Sequence, residues 1–222
     1  MSESILSANP IALVGMMGCG KSTVGRRLAS LLKRDFIDAD RELESRLGVP
    51  ISTIFELEGE DGFRRREAAL INELTQRAGL VLATGGGAVL REDNRQVLRD
   101  RTMVIYLNAS LPELWHRLRF DKARPLLRTQ NPRQRIADLL QTRDPLYSEV
   151  AHLSVLTGRQ SVERLVADII RQLSKPSSQP SPQPSLQLSP QPLQQSALAP
   201  SPPLSQPATT ALALQPPQAP QH

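Results

Sequence analysis

The chain of 222 residues carries 27 Lys and Arg against 22 Asp and Glu, and only 3% of its residues are aromatic. The basic residues are interspersed with acids and few rings are present to stack on bases, so the charge of +5 favours small anionic substrates over nucleic acid. One cysteine excludes a disulfide framework and a cysteine-based metal site. We find no leader-like amino terminus and no 18-residue apolar run, and therefore expect a soluble, cytoplasmic protein that does not bind membranes.

The composition changes abruptly near residue 175. From Pro176 onward the sequence holds most of the 19 prolines, with abundant Gln, Ser, Ala and Leu and no charged residue. Such a segment cannot bury enough apolar surface to offset the entropy of ordering, so we predict that residues 175–222 form a disordered tail. Residues 1–174 are then one domain, long enough for a single core.

Apolar runs and helical periods alternate through residues 1–174. Five short apolar runs separated by helices indicate an α/β fold with three layers, in which a parallel sheet is covered on both faces. In such sheets ligands bind outside the carboxyl ends of the strands. The predicted strands are residues 11–15, 35–40, 81–84, 103–107 and 152–156, and the predicted helices are residues 21–33, 41–47, 51–57, 63–76, 93–99, 111–120, 132–143 and 162–173.

Residues 15–23, with the sequence GMMGCGKST, follow the first predicted strand and open the first predicted helix. This is the context in which the pattern G-x-x-x-x-G-K-[ST] binds nucleotide phosphates, because glycines expose backbone N–H groups and the helix N-terminus adds a positive dipole end. Lys21 would reach the β- and γ-phosphates, and the Ser22 hydroxyl would ligate Mg²⁺. Cys19 is either a small residue tolerated here or a thiol activated by the helix end. The pattern predicts a nucleoside triphosphate site.

Two carboxylates, Asp38 and Asp40, end the second predicted strand. Because side chains alternate along an extended chain, both would lie on the same side. Beside a nucleotide, one carboxylate can hold Mg²⁺ while the other addresses a substrate hydroxyl. The alternative is that Asp40 caps a helix that begins at Arg41.

Two further features suit an anionic ligand. Arg64 and Glu67 lie one turn apart on a predicted helix, so Glu67 can orient the guanidinium of Arg64 toward a carboxylate-bearing substrate, whereas Arg65 and Arg66 fit a solvated face. The three glycines at residues 85–87 follow the third predicted strand. They either let a ligand approach the backbone closely or form a plain flexible turn.

A basic loop is predicted over residues 121–132, with Arg117 before it and Arg124 in the run RPLL within it. Such a lid would exclude water and place an arginine on the charge that develops at the γ-phosphate. Arg143 lies in the run RDPLY, where Pro145 predicts a helix stop. Arg143 is either a substrate contact or only a dipole partner at a helix C-terminus.

Taken together and in this order, the six motifs resemble those of the shikimate kinase family over nearly all of residues 8–173. The resemblance implies a three-layer P-loop kinase fold, of the nucleoside-monophosphate-kinase type, with a five-stranded parallel sheet flanked by helices. It implies that ATP phosphorylates the 3-hydroxyl of shikimate in aromatic amino-acid biosynthesis. The tail lies outside the family pattern.

The resemblance also implies a role for each site residue in a monomeric enzyme. Lys21, Asp40 and Arg124 would be catalytic, with Asp40 assisting removal of the hydroxyl proton. Mg²⁺ would be held by Ser22 and, through water, by Asp38. The shikimate site would comprise Asp40, Arg64, Gly86, Gly87 and Arg143, and the ATP site would comprise Gly18, Cys19, Gly20, Lys21, Ser22, Thr23, Gln160 and Arg117, the last stacking on adenine.

Other functions stay open at the level of sequence. A gluconate or nucleotide kinase would carry the same phosphate loop with a different acceptor pocket, whereas a GTPase fits less well because no N-K-x-D-type motif is present. From a different class, a nucleotide-binding adaptor would recruit SH3- or WW-like partners through the tail. The tail has P-x-x-P-like spacing but no arginine or lysine to orient such binding.

Overall fold

The computed structural model describes residues 9–120, 127, 129–158 and 160–174. Within them, a five-stranded parallel sheet of order β2-β3-β1-β4-β5 is flanked by seven helices, as the α/β prediction requires. The strands are β1 (Ile11–Val14), β2 (Asp35–Asp38), β3 (Leu80–Ala83), β4 (Met103–Ala109) and β5 (Leu153–Thr157), and the helices are α1 (Lys21–Leu32), α2 (Ala39–Leu47), α3 (Ile51–Leu74), α4 (Glu92–Arg101), α5 (Leu111–Leu118), α6 (Pro132–Val150) and α7 (Val162–Leu173).

The central strand is β1, which pairs with β3 on one side and with β4 on the other. All four of its residues are buried, as expected for a strand covered on both faces. Each fully buried aliphatic side chain contributes about 2 kcal/mol from the removal of apolar surface from water. The phosphate loop therefore follows a strand that is packed on both faces.

The second strand is shorter than predicted. It ends at Asp38 and α2 begins at Ala39, so Asp38 and Asp40 do not share an extended segment. Asp38 is the N-cap of α2, and its Oδ1 accepts a hydrogen bond from the N–H of Arg41 at 3.4 Å. The alternative in which Asp40 caps this helix is also wrong, because Asp40 lies within the first turn. An aspartate that satisfies an unpaired N–H group sets this helix start.

Helix α3 joins the two helices predicted over residues 51–57 and 63–76. The break between them lies at Gly59, where φ is 70° and ψ is −176°, a conformation that glycine adopts readily. The change of direction allows residues from both halves, among them Ile54 and Phe63, to pack into one small core over the outer part of the sheet. The predicted interruption is therefore confirmed, and it is confined to one residue.

Helix α6 continues past Pro145, contrary to the predicted stop. Pro145 has no N–H to donate to the carbonyl of residue 141, which removes one backbone hydrogen bond. Tyr147 and Val150 beyond it are nearly fully buried, and this tertiary burial outweighs the local penalty. Arg143 consequently lies inside the helix, so its interpretation as a dipole partner at a helix C-terminus is wrong.

Two predicted segments lie outside the described residues: the lid residues 121–126, which include Arg124, and the tail at residues 175–222. Among the helices of the described residues, none has the length and apolar character needed to cross a membrane.

His152 ties the start of β5 to β4 through two hydrogen bonds. Its N–H donates to the carbonyl of Val104 at 2.9 Å, and its Nδ1 accepts from the N–H of Val104 at 3.0 Å. Burial lowers the pKa of His152 from its usual 6.5, and the positive charge of Arg99 adds to the effect. The folded chain therefore binds fewer protons here than the unfolded chain does. The folded chain is stabilised as long as His152 is neutral, which holds above about pH 6.5. This stabilisation is lost as the pH falls below that value.

We expect the substitution His152→Gln to flatten the pH dependence of the free energy of unfolding between about pH 8 and pH 5, measured by urea denaturation. The matched control is His116→Gln, which removes an exposed imidazole on α5 and leaves the hydrogen bonds between His152 and Val104 in place. Equal slopes for the parent chain and His152→Gln would contradict the proposed linkage.

Candidate active site

The segments that follow β1, β2 and β3 meet at one edge of the sheet, as predicted from the carboxyl-end rule. They line a cavity of about 650 Å³. Its walls include the phosphate loop, Asp38 at the end of β2, Asp40 just beyond it, and Gly86 of the glycine run. Motifs that are far apart in the sequence therefore form one site.

The phosphate loop, residues 15–23, depends on glycine where the backbone takes positive φ. Gly15 has a φ of 141°, and a Cβ there would lie 2.6 Å from the carbonyl oxygen of Leu107. Gly18 has a φ of 79°, and a Cβ there would contact the Leu118 side chain at 2.9 Å. Helix α1 begins within this segment, at Lys21, without a side-chain cap. Its first N–H groups are thus available to an anionic ligand.

Lys21 and Ser22, the first residues of α1, occupy different parts of the loop. The Nζ of Lys21 donates to the carbonyl oxygens of Gly15 at 2.7 Å and of Met16 at 3.0 Å. The Oγ of Ser22 donates to Oδ2 of Asp38 at 2.5 Å. The ammonium group is held over the loop backbone, and the hydroxyl lies beside a carboxylate at the end of β2.

Besides Lys21 and Ser22, six residues predicted for the ATP site line the large cavity. Arg117 lies close to the loop, because its Nη1 donates to the carbonyl oxygen of Gly18 at 3.0 Å. Cys19 is 1% exposed, which favours its interpretation as a small packing residue. The six residues are Gly18, Cys19, Gly20, Thr23, Arg117 and Gln160.

A second cavity, of about 170 Å³, adjoins the first. Met17, Asp40 and Gly86 line both cavities, so Asp40 lies where the two spaces meet. A ligand in the small cavity would therefore have this carboxylate between itself and the phosphate loop. The small cavity has two kinds of wall. The apolar wall is formed by Ile51, Phe55 and Phe63, and the charged wall is formed by Arg64, Glu67 and Arg143.

Arg64 and Glu67 form the buried ion pair that their spacing predicted. Nη1 of Arg64 lies 2.7 Å from Oε2 of Glu67, and the two side chains are 11% and 0% exposed. Burial raises the pKa of the Glu67 carboxyl, and the charge of Arg64 opposes this effect. A second acid, Glu60, also forms an ion pair with Arg64, at 3.0 Å. Arg66 is exposed, as expected for a residue on the solvated face of the helix. The two carboxylates therefore hold the Arg64 guanidinium on one side, and the small cavity lies on another side of it.

The glycine run makes room for these charged groups. A Cβ at Gly85 would lie 2.5 Å from Oε1 of Glu67, and one at Gly87 would lie 2.3 Å from Nη2 of Arg64. Both distances are too short for van der Waals contact. The groups packed against Gly85 and Gly87 are the protein's own side chains, so a plain flexible turn does not account for the run. The close approach of a ligand to residues 85–87 stays a prediction.

Arg143 reaches the same run from α6. Its Nη1 donates to the carbonyl oxygen of Gly86 at 3.2 Å, and the hydroxyl of Tyr147 donates to the same oxygen at 2.5 Å. Tyr147 was not predicted to be a site residue, although it lies four residues after Arg143, on the same helical face. The apolar wall was not predicted either, because apolar residues at helical spacing are indistinguishable from core residues in a sequence.

We expect Gly87→Ala to lower kcat/KM for the acceptor substrate about tenfold, because the new methyl displaces the Arg64 guanidinium, and to leave the KM for the nucleotide unchanged. Steady-state kinetics with each substrate varied in turn would measure both values. Gly79→Asn, a left-handed position with open space before β3, is the matched control and should change neither. Equal losses for both substrates would contradict the assignment of Gly87 to the acceptor side.

A phosphate loop that opens onto a second pocket with two arginines and an acid is the arrangement of a P-loop small-molecule kinase. The family model for shikimate kinase matches residues 17–174. The chain therefore belongs to the shikimate kinase family.

Individual relatives agree with this assignment. The shikimate kinase of Bordetella pertussis is 56% identical over 164 residues, which cover 74% of this chain and 78% of the relative. That of Burkholderia thailandensis is 54% identical over 163 residues, covering 73% and 89% of the two chains. The structure of the Acinetobacter baumannii shikimate kinase in complex with shikimate superposes with a TM-score of 0.74 at 47% identity, covering 78% of this chain and 97% of that one.

Proposed function

We propose that this chain transfers the γ-phosphoryl group of ATP to the 3-hydroxyl of shikimate, giving shikimate 3-phosphate and ADP in aromatic amino-acid biosynthesis. The observation that supports this most directly is the pair of adjoining cavities with Asp40 at their junction. One cavity has the phosphate loop expected for ATP, and the other has charges suited to a small hydroxylated acid. Related enzymes of the same family bear the name of this activity.

The two arginines of the small cavity are proposed to bind the substrate carboxylate. The charge of Arg64 is largely balanced by Glu67 and Glu60, so its contribution is mainly a directed donor. Arg143 is 5% exposed and donates to a neutral carbonyl, Gly86, a contact that leaves its positive charge available to an anion. A carboxylate between the two guanidinium groups would orient the ring, whose apolar face would lie against Phe55.

Asp40 is proposed to orient the acceptor hydroxyl and to take its proton as the phosphoryl group is transferred. Phosphoryl transfer depends mainly on positioning and on neutralising charge, and Asp40 lies where a hydroxyl in the small cavity would face the phosphate loop. Lys21 would stabilise the phosphate oxygens, exchanging its carbonyl partners for them. Arg124, from the lid, is proposed to add a second positive charge at the transferred group.

Mg²⁺ is proposed to be held by the Ser22 hydroxyl directly and by Asp38 through water. The residues fit this use, because Oγ of Ser22 and Oδ2 of Asp38 lie 2.5 Å apart and together provide two hard oxygen donors. The described residues contain no group of three or more His, Cys, Asp or Glu side chains able to hold a metal, which is compatible with an ion that takes its other ligands from phosphates and water. When bound, the ion neutralises charge on the β- and γ-phosphates.

The remaining proposals concern the rest of the chain. Arg117 is proposed to stack on adenine and Gln160 to contribute to the same site, since both line the large cavity. We also propose that residues 1–174 act as a monomeric, cytoplasmic catalytic domain and that the tail at 175–222 takes no part in catalysis.

A coupled ADP-release assay with the full chain, ATP and Mg²⁺ tests the function. The acceptors compared are shikimate, gluconate and nucleoside monophosphates. Of the acceptors compared, we expect only shikimate to support turnover. Chelation of Mg²⁺ should abolish this turnover, and mass spectrometry should identify the product as a phosphorylated shikimate. Turnover with gluconate or a nucleotide, and none with shikimate, would refute the substrate assignment.

A further inference from the structure

We infer that Tyr106 and Asp144 act together as positioning residues for Arg143. Tyr106 lies on β4, and Asp144 follows Arg143 on α6. Their hydrogen bond sets the rotation of α6 and so aims the Arg143 guanidinium into the acceptor cavity. This inference rests on the proposed function, in which Arg143 binds the substrate carboxylate.

The contact between the strand and the helix has two parts. The hydroxyl of Tyr106, a residue that is 1% exposed, donates to Oδ1 of Asp144 at 2.5 Å. The ring of Tyr106 stacks on that of Tyr147, with ring centroids 5.1 Å apart. Asp144 and Tyr147 lie three residues apart on α6, so a single side chain of the sheet holds one helical turn at two points. Such a contact resists both rotation and sliding of the helix.

This turn of α6 needs support from the sheet because Pro145 lies within it. The missing N–H leaves the helix without one backbone hydrogen bond at residue 141, two residues before Arg143. Helices bend most readily where the backbone ladder is interrupted. The tertiary hydrogen bond at Asp144 therefore helps to determine where Arg143 points.

The strand end of the contact lies next to the phosphate loop. Tyr106 pairs across the sheet with Val14, the last residue of β1, and the loop begins at Gly15. The helix that carries Arg143 is thus held in place by a strand that pairs with β1, the strand leading into the ATP site. Fixing α6 at this point fixes the separation between the carboxylate clamp and the phosphate loop, a separation on which in-line transfer depends.

The surroundings of the Tyr106 hydroxyl determine which of the two groups, Tyr106 or Asp144, donates the hydrogen bond. Burial raises the pKa of the Tyr106 hydroxyl, and the Asp144 carboxylate raises it further. The phenol keeps its proton, so it is the donor and Asp144 is the acceptor. A hydrogen bond to a carboxylate is stronger than a neutral one, as a positioning contact requires.

The test compares Tyr106→Phe, Asp144→Ala and the double variant in steady-state kinetics. Each single change should raise the KM for shikimate about tenfold and leave the KM for ATP within about twofold, because only the aim of Arg143 is altered. The double variant should be no worse than either single variant, since both remove the same hydrogen bond. Asp144→Asn keeps an acceptor oxygen and should restore most of the affinity.

Two controls separate positioning from a general loss of stability. Thr102→Val removes a buried hydroxyl that donates to the carbonyl of Leu98, away from both cavities. Asp138→Ala removes an exposed hydrogen bond from Gln134 on α6 itself. Both should leave the ratio of the two KM values unchanged. If Tyr106→Phe and Asp144→Ala behave like Thr102→Val, or if their effects multiply in the double variant, the inference is wrong.

A second readout does not depend on shikimate turnover. The ¹⁵N–¹H signal of the Arg143 side chain, assigned by its loss in Arg143→Lys, should shift or broaden in Asp144→Ala and stay unchanged in Asp138→Ala. A parent chain that does not turn over shikimate would refute the proposed function, and the NMR comparison would still decide the positioning role. An Arg143 signal unaffected by Asp144→Ala would overturn it.

Discussion

Lys21→Ala is expected to lower kcat about a thousandfold, because the positive charge beside the phosphates is lost. The Nζ of Lys21 lies over the phosphate loop, held by the carbonyl oxygens of Gly15 and Met16. A positive charge preorganised at this place stabilises phosphate oxygens as charge develops on them, and an alanine provides no substitute. The measurement is shikimate-dependent ADP release at saturating concentrations of both substrates.

The control for Lys21 is Lys33→Asn, which removes a positive charge at the other end of α1. Lys33 has a φ of 54°, a left-handed conformation that asparagine tolerates, so the fold should be preserved. We expect it to retain the parent kcat. A Lys21→Ala variant with kcat within tenfold of the parent would exclude the proposed role of this ammonium group in the transition state.

Arg64→Ala is expected to reduce kcat/KM for shikimate about a thousandfold and also to destabilise the fold. The substitution removes a donor to the substrate carboxylate. It also leaves Glu67, whose side chain is 0% exposed, without its arginine. Removing one partner of a buried ion pair costs about 3 kcal/mol, because the other charge stays buried and unpaired. Kinetics and urea denaturation of the same variant measure the two effects.

The double variant Arg64→Ala/Glu67→Gln separates these effects. Replacing the lone carboxylate with a neutral amide should recover most of the lost stability, whereas kcat/KM should stay low because the donor is still missing. The matched control is Arg66→Ala, which breaks the exposed pair between Arg66 and Glu58 and should leave the free energy of unfolding nearly unchanged. Recovery of activity in the double variant would show that Arg64 acts only through Glu67 and stability.

The local elements and the phosphate loop were predictable because their signals are short-range. The glycines and Lys21 of the loop, the spacing of Arg64 and Glu67, and the helix from Val162 to Leu173 each follow from neighbouring residues. The order of the motifs predicted membership of a known family, which the family model over residues 17–174 confirms. The roles of individual site residues stay predictions.

The failures were equally local in origin. The alternation of side chains predicts an extended segment through Asp40, whereas Asp38 already ends the strand as a helix cap. Pro145 predicts a helix stop, whereas the helix continues to Val150. In both cases a contact made elsewhere decides the outcome. Asp38 binds a distant residue, Ser22, while the burial of Tyr147 against β4 maintains the helix beyond the proline.

Residues close together in the sequence were enough to predict the five strands of the described residues, the phosphate loop and the charged groups expected for binding a small acid. The strand order, the meeting of two cavities at Asp40, the burial of Glu67 and the contact of Tyr106 with Asp144 became visible only in the folded chain. Periodicity and loop chemistry depend on residues within a few positions of one another, whereas burial and cross-element hydrogen bonds depend on packing between segments far apart in the chain.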